Sequence, residues 1–447
     1  MWDITNYGDN SMTAINTNHA NKPIYPRPRQ VASNQEKATE NPGIAADSYE
    51  PGELLVRLKS DMASAAPIEL PGAIVEEFHN LESDQKGLAP TDRIVRIKLD
   101  EGVEVEDAAK SLGRDPGIAW AEPNYTWSLE ANIGTNDKFG SKLWGMKEIN
   151  APQAWKTTTG SREGAVVAVL DSGIDQKHPD LVNNLWTNPG EIPGNGIDDD
   201  GNGVVDDVHG YNALDQNGNP HDELKHGTHV AGTIGAEGNN GIGVAGVNWQ
   251  TRIMPVKIFG GNGKTNSAAI LRGIEYAKKM GADITNNSWG GTQYSNAIQD
   301  AFAANPALHV CAAGNSSNDN DAMNHYPSGY ELPNLISVAA ISEMGRLASY
   351  SNYGATTVDI AAPGSNIVST IPTNRSGRGR YQAMNGTSMA SPHVAGAAVL
   401  VKSQFPKASA AEVKEILMDS AQPRTALKGK VATGGVLDVE KAIQGKQ

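Results

Sequence analysis

A single cysteine, Cys311, stands in the 447 residues of this chain, so no internal disulfide can form and sulfur chemistry does not reveal the redox compartment. Basic residues are also short. Against 51 Asp and Glu there are 37 Lys and Arg, a formal net charge of −14 that argues against nucleic-acid binding. No apolar run is long enough to span a membrane. The opening stretch, MWDITNYGDNSMTAINTNHA, lacks the basic start and apolar core of a secretory signal, and the compartment is left open. What the chain does hold is 48 glycines and 38% hydrophobic residues, enough for a sizeable core with many turns plus one smaller domain.

Three short segments carry the chemistry: VVAVLDSGID (166–175), HGTHVAG (226–232) and NGTSMASPHVAG (385–396). They offer Asp171 at the end of an apolar strand, His226 opening a small-residue helix, and Ser388 on a tight turn into a second such helix, expected from Ser391 to Val401. A serine hydroxyl is a poor nucleophile until a base takes its proton. The base works best when a buried carboxylate fixes its tautomer and stabilises the imidazolium. The three residues are therefore the cast for nucleophilic acyl transfer, in the chain order Asp, His, Ser. Each alone has a plainer reading: Asp171 as a strand-end turn residue, Ser388 as a helix cap. His226 and His229 have the spacing of a metal pair, yet no HExxH glutamate or third ligand accompanies them, and His229 reads as a buried structural histidine.

These segments, in this order, resemble the subtilisin-like serine proteases, the subtilase family, from about Asn136 to Gly445. The resemblance implies Ser388 as nucleophile, His226 as general base and later acid, and Asp171 as the orienting carboxylate. In ALHVCAAGNSS (307–317) it implies that Asn315 donates its side-chain amide to the oxyanion beside the Ser388 N–H, with Thr387 adding a hydroxyl. Read by itself, Asn315 is a strand-ending turn residue. The implied activity is that of a serine endopeptidase working on proteins through an acyl-enzyme. A same-fold cousin family with a Ser-Glu-Asp set is disfavoured by His226, and a catalytically silent binding scaffold is disfavoured by the intact set of four residues.

Calcium is the implied cofactor. The run IDDDGNGVVDD matches the D-x-[DN]-x-[DN]-G opening of a calcium loop through Asp198, Asp200, Asn202, the Val204 carbonyl and Asp206. The twelfth position is His209 where a full EF-hand has Glu, so Asp207 is expected to complete the shell; a plain acidic surface loop is the other reading. A second site is implied by the resemblance, from Asp137 in TNDKFG, Asp180 in HPDL, and Asn240 with the carbonyls of Ile242 and Val244 in GNNGIGVAG. Asp180 alone would read as a helix cap.

By the same resemblance a substrate peptide adds as a strand between Gly263-Lys264-Thr265 and Ser288-Trp289-Gly290. Trp289 taken alone suits a core position. The S1 pocket is expected between Ser288 to Gly290 and Ala312 to Gly314, including Ala313, with His325 near its base making it shallower or more polar.

Residues 1–49, rich in Asn, Pro and Thr, read as a disordered leader. Over 50–128 the stretches GELLVRLK and RIVRIKL alternate as strands, VEVEDAAKSLGRDPG suits a helix with a glycine stop, and IAWAEPNY reads as a closing strand. This order, with its AEPNY ending, resembles the subtilase propeptide, a small α+β domain of ferredoxin-like topology, here with a first helix shortened or broken at Pro67 to Pro71. The resemblance makes it an intramolecular inhibitor, released by cutting in a linker over 129–136. In 137–447 strands such as VVAVLDSG, RIMPVKIF and HVCAAGN alternate with helices such as NSAAILRGIEYAKKMG, predicting an α/β fold: a mostly parallel sheet with helices on both faces. A monomer is expected, with proteins as substrates and neither nucleic acid nor membrane as partner.

Overall fold

The computed structural model describes residues 49–59, 70–78, 93–125 and 134–445. The expected leader up to residue 48, the first helix before Leu70 and most of the 129–136 linker lie outside the described residues. The chain divides into two compact units, 1–128 and 129–447.

In the first unit, β1 (Tyr49–Leu58), β2 (Gly72–Phe78), β3 (Arg93–Leu99) and β4 (Ile118–Tyr125) form an antiparallel sheet in the order β2-β3-β1-β4, with helix α1 (Val105–Leu112) crossing before β4. Strand order and crossover agree with the ferredoxin-like topology. Alternation explains the packing: Leu54 and Val56 of β1 and Val95 and Ile97 of β3 share one face and meet Val105, Ala108 and Leu112, the apolar stripe of α1. Acidic Glu106 and Asp107 in the first turn and Lys110 in the last complement the helix dipole. Strand β2 was not among the strands expected from sequence. Its Ala73 to Phe78 are all exposed, so no in–out alternation marks it.

The second unit opens with short helices α2 (Trp144–Glu148) and α3 (Ala151–Ala154) and is then built on a nine-stranded sheet. Its strands are β5 (Val166–Asp171), β6 (Tyr211–Asn212), β7 (Arg252–Lys257), β8 (Ile284–Asn287), β9 (Leu308–Ala312), β10 (Leu335–Ile341), β11 (Ile360–Pro363), β14 (Gln422–Pro423) and β15 (Gly435–Val436). They lie in the order β14-β15-β11-β10-β9-β8-β5-β7-β6, all parallel except the β14–β15 pair. A separate hairpin pairs β12 (Ile367–Ile371) with β13 (Arg380–Met384). Helices α4 (His226–Gly235), α5 (Ser267–Lys279), α6 (Asn296–Ala303), α7 (Thr387–Gln404), α8 (Ala410–Asp419) and α9 (Val439–Gln444) complete it. Every residue of β5 is buried because the sheet is covered on both sides. Val167 and Val169 join a core with Val230 and Ile234 of α4 and Val394 and Leu400 of α7, whereas Val166, Ala168 and Leu170 join a second core with Ile270 and Ile274 of α5 and Phe302 of α6.

Helix α7 is buried all round from Met389 to Val401. It starts at Thr387 rather than at the expected Ser391, and Pro392 lies inside it. A proline there cannot donate to the Ser388 carbonyl one turn back. Ser288 Oγ does so instead, at 3.0 Å, and the helix continues through the proline.

Candidate active site

Asp171 ends β5 and is 2% exposed. Its Oδ1 accepts from the Ser172 N–H and lies 2.7 Å from His226 Nδ1, while Oδ2 is buried with no donor among the described residues. His226 opens α4 directly after Lys225, whose φ of +73° turns the chain into the helix. Close approach of helix to strand end needs glycine at the next position: a Cβ on Gly227 would collide with the Gly173 carbonyl and lie 3.2 Å from Asp171 Cβ. With Nδ1–H donated to the carboxylate, Nε2 of a half-exposed imidazole is the free basic nitrogen. Burial pulls the His226 pKa down, but the charge and hydrogen bond of Asp171, with the Asp222 carboxylate adding to them, outweigh it, and the net shift is upward.

A second pair forms around Ser388, in the first turn of α7. Asn315 Oδ1 accepts from Thr387 N at 2.8 Å and from Thr387 Oγ1 at 2.9 Å. The hydroxyl of Thr387 thus orients Asn315, and it also receives the Gly314 N–H. This turns the Asn315 amide nitrogen toward Gly386 (φ +151°), where a Cβ would stand 3.6 Å from Asn315 Nδ2 and 3.7 Å from Ser388 Cβ. Ser388 Oγ donates to the Ser288 carbonyl at 3.1 Å.

Both pairs stand on one rim. Strands β9, β8 and β5 are neighbours, and extending the registers Val169↔Asn286 and Asn287↔Cys311 brings Asp171, Ser288 and Ala312 level at their carboxyl ends, where open parallel sheets hold their sites. Residues 162–438 match the Subtilase family, and residues 35–124 match the fervidolysin N-terminal prodomain. The chain belongs to the subtilase family. Thermophilic serine proteinase of Bacillus sp. (strain AK1) is 38% identical over 302 residues, 67% of this chain and 67% of that protein. Thermitase of Thermoactinomyces vulgaris is 35% identical over 309 residues, 68% of this chain and 97% of that protein. Among solved structures, a protease of Pseudoalteromonas arctica PAMC 21717 aligns with a TM-score of 0.57 at 30% identity, covering 69% of this chain and 98% of that one.

Other sequence-derived residues of this subtilase fall as follows. His229 is fully buried, with Nε2 between the carbonyls of Ile367 (2.9 Å) and Gln382 (3.0 Å), and burial pushes its pKa down to about 4. It is a neutral structural donor, as its plain reading had it. His325 stands between Gly290 and Gly314: a Cβ on Gly290 would strike its Cε1, and one on Gly314 would lie 3.0 Å from its Cδ2. Burial lowers the pKa of this imidazole, which is neutral at pH 7. Ser288 and Ala313 are buried beside it, and half-buried Trp289 packs on the core around Phe302. Gly263 and Lys264 belong to a turn in which Gly260 N donates to the Lys264 carbonyl, and Thr265 follows with its hydroxyl buried and unpartnered.

The acidic loop regroups its residues. Oxygens of Glu191, Asp198 and Asp200 lie within 4.8 Å of one another. Glu191 is 8% exposed; its Oε1 accepts from Asp199 N and Asp200 N, and its Oε2 is buried with no donor among the described residues. Asn202 N donates to both Asp198 and Asp200, and Asn202 Oδ1 accepts the Val204 N–H. Asp206 instead caps Gly194 N and Gly196 N, and Asp207 holds Asn188, Asn202 and Tyr276. The other five expected ligands form one cluster: Asp137 accepts the N–H groups of Asn239, Asn240 and Gly241, Asp180 accepts from Asn240 Nδ2 and Val244 N, and Asn240 Oδ1 accepts from Ile242 N. Asp180 is fully buried and Asp137 is 3% exposed; burial pushes the Asp180 pKa up to about 6.

Sequence reading missed Glu191, Ser172, Asp222 and Lys257. Asp222, four residues before His226 in HDELKH, had a local signal in its spacing; Glu191 had none.

Proposed function

We propose that this subtilase-family serine protease hydrolyses peptide bonds through an acyl-enzyme, with Ser388 as nucleophile and Asp171 and His226 as its base system. The observation that carries this is the 2.7 Å contact between His226 Nδ1 and a buried Asp171 on the rim that also bears Ser388 and Asn315. In the attack the Ser388 hydroxyl leaves the Ser288 carbonyl, which it meets here at 3.1 Å, and is activated by His226 Nε2. Oγ attacks the scissile carbonyl as its proton passes to Nε2, and the tetrahedral oxyanion is held by Asn315 Nδ2 and the Ser388 N–H. His226 returns the proton to the leaving amine, and water repeats the sequence on the ester. The Asp171 carboxylate stabilises the imidazolium. With His325 between Gly290 and Gly314, the pocket there favours a short substrate side chain.

Residues 50–128 act as the inhibitory prodomain, and cleavage within Ser128 to Asn136 releases them. The fervidolysin-type match over 35–124 supports this. While tethered, the prodomain works at a high effective concentration, so moderate intrinsic affinity suffices until the linker is cut.

The donor chemistry fits calcium at two places, all of it hard oxygen. At the first, Glu191, Asp198 and Asp200 converge and the Glu191 Oε2 lacks a donor among the described residues. At the second, Asp137, Asp180 and Asn240 with the Ile242 and Val244 carbonyls would hold the ion; among the described residues, the donors to the two buried carboxylates are neutral amides and hydroxyls. Bound calcium would supply the positive charge that holds these carboxylates together.

Ser388→Ala tests the reading. The variant should fold, fail to label with a fluorophosphonate, lose casein hydrolysis down to the ~10³–10⁴-fold residual over water that binding and the oxyanion site supply, and keep its N-terminal part uncut in a mass spectrum. Appreciable hydrolysis by the variant would sink it.

A further inference from the structure

We propose that Asp222 is a positioning residue for the Asp171–His226 pair, acting through Ser172 and the first turn of α4; the inference rests on His226 being the general base. Asp222 is 2% exposed. Its Oδ1 accepts from Ser172 Oγ (2.8 Å), Leu224 N (2.8 Å) and Lys225 N (3.0 Å). Its Oδ2 accepts from Thr228 N (3.0 Å) and Thr228 Oγ1 (2.6 Å). Ser172 Oγ accepts in turn from Gly227 N at 2.9 Å. One carboxylate therefore ties the residue after Asp171 to the backbone on both sides of His226.

Local chemistry explains why a carboxylate stands here. The N-cap of α4, Lys225, supplies no side-chain cap, so the first N–H groups of the helix need acceptors from elsewhere. Asp222 meets five donors with two acceptor-only oxygens. An asparagine would turn an NH₂ against some of them. Ser172 links the two sides because its hydroxyl can donate to Asp222 and accept from Gly227 at once. A misplacement of about 1 Å at a catalytic pair can cost ~10²-fold in rate, so a brace between the two segments bears directly on turnover.

The carboxylate also carries charge into the site. Around His226 stand Asp171 from β5, Asp222 and Glu223 from the turn before α4, the adjoining Lys225, and Lys257 from β7, whose Nζ donates to the Ser172 and His221 carbonyls and to Glu223. His229 on α4 and His393 on α7 are both pushed down to about 4 by burial and are neutral at working pH. Removing the Asp222 charge therefore lowers the affinity of His226 for its proton. The base then stays free to lower pH.

The test compares full-chain Asp222→Asn, Asp222→Glu and Ser172→Ala proteins, each counted by fluorophosphonate active-site titration, with Ser388→Ala, which has no hydroxyl to label and is counted as total protein. Per titrated site, Asp222→Asn should lower kcat on the order of 10-fold with KM held within about two-fold, and its acid limb of kcat/KM should move to lower pH. Asp222→Glu, which keeps the charge, should restore that limb. A brace that served folding alone would reduce melting temperature and the amount of titratable enzyme but leave kcat per site and the acid limb at wild-type values, and that result overturns the proposal. Should Asp222→Asn not fold, Ser172→Ala decides: it cuts only the link to the strand end, a drop in kcat of about 3-fold or more at constant KM is expected, and wild-type kcat overturns the proposal. Ser388→Ala separates the two levels. If it still hydrolyses, the Ser388 acyl-enzyme reading on which the base role depends falls; if it is dead while the Asp222 and Ser172 variants turn over normally, only the positioning role falls.

Discussion

Carboxylates crowd two regions of the peptidase unit, the rim around Asp171 and the loop from Glu191 to Asp207, and the two regions handle them in opposite ways. On the rim donors meet Asp171 Oδ1 (Ser172 N and His226) and both oxygens of Asp222 (five donors), and no two carboxylates converge on one point; Asp171 Oδ2 has no donor among the described residues. In the loop, oxygens of Glu191, Asp198 and Asp200 converge within 4.8 Å of one another, and although N–H groups meet the others, the buried Glu191 Oε2 has no donor among the described residues. A charge already met by fixed dipoles is set up to act on something that arrives neutral, such as a peptide carbonyl. Carboxylates whose oxygens converge, with one of them left without a donor, call for a cation. The contrast separates a site that does chemistry from one that stabilises the native chain.

Substitutions should therefore move different observables in the two regions. The largest effect is expected at Asp171. Asp171→Asn leaves the shape but removes the charge that holds the His226 tautomer, and kcat should fall by about 10⁴-fold, the size of the same change in another Ser-His-Asp protease, with little change in melting temperature. Wild-type kcat/KM should fall on the acid side with a midpoint above the ordinary histidine value of 6.5, because the raised His226 pKa protonates the base as pH drops through it. Asp171→Asn should carry that midpoint downward. A loss of stability equal to that of the loop variants, with kcat intact, would erase the contrast.

Next comes the oxyanion donor. Asn315→Ala should lower kcat by about 10²–10³-fold at nearly constant KM, the loss known for one such donor in a subtilisin. Thr387 N and Oγ1 hold only the oxygen end of this side chain, so the amide nitrogen is left to act. If steady-state kinetics show a rise in KM as large as the fall in kcat, Asn315 binds substrate in the ground state and is no oxyanion donor.

Legibility in the sequence followed how local each device is. Asp171, His226, Asn315 and Ser388 each sit in an unbroken strand-end or helix-start segment, so residue type and neighbours together marked them. The alternation of apolar strands and small-residue helices marked the parallel sheet in the same way. Glu191 escaped because it reaches the acidic run only by folding back to the Asp199 and Asp200 N–H groups. Nothing near Asp207 in sequence shows that Tyr276, from α5, donates to its Oδ2. The start of α7 was placed too late because a proline argues against helix, and the Ser288 hydroxyl that compensates comes from just beyond the end of β8. Strand β2 carries no alternation to read.

The smallest expected effect falls on the loop, and it is the one that isolates the cation. An ion that binds only the native state stabilises it by about 2.7 kcal/mol at a hundredfold excess over Kd, worth several degrees of melting temperature at roughly 2–4 °C per kcal/mol for a domain of this size. Chelation at matched ionic strength should lower the wild-type melting temperature by about that much. Glu191→Gln replaces the unpartnered Oε2 region with a neutral amide of the same shape. In calcium the variant should melt below wild type, since one ligand charge is gone. In chelator it should melt level with wild type or above it, since a buried carboxylate oxygen that lacks a donor among the described residues is gone as well. Part of the calcium increment should survive in the variant, because Asp137 and Asp180 are untouched, and kcat should stay unchanged throughout. A substitution that merely disturbed the loop would lower the melting temperature equally in both conditions, and superimposed wild-type curves with and without chelator would dispose of both calcium sites.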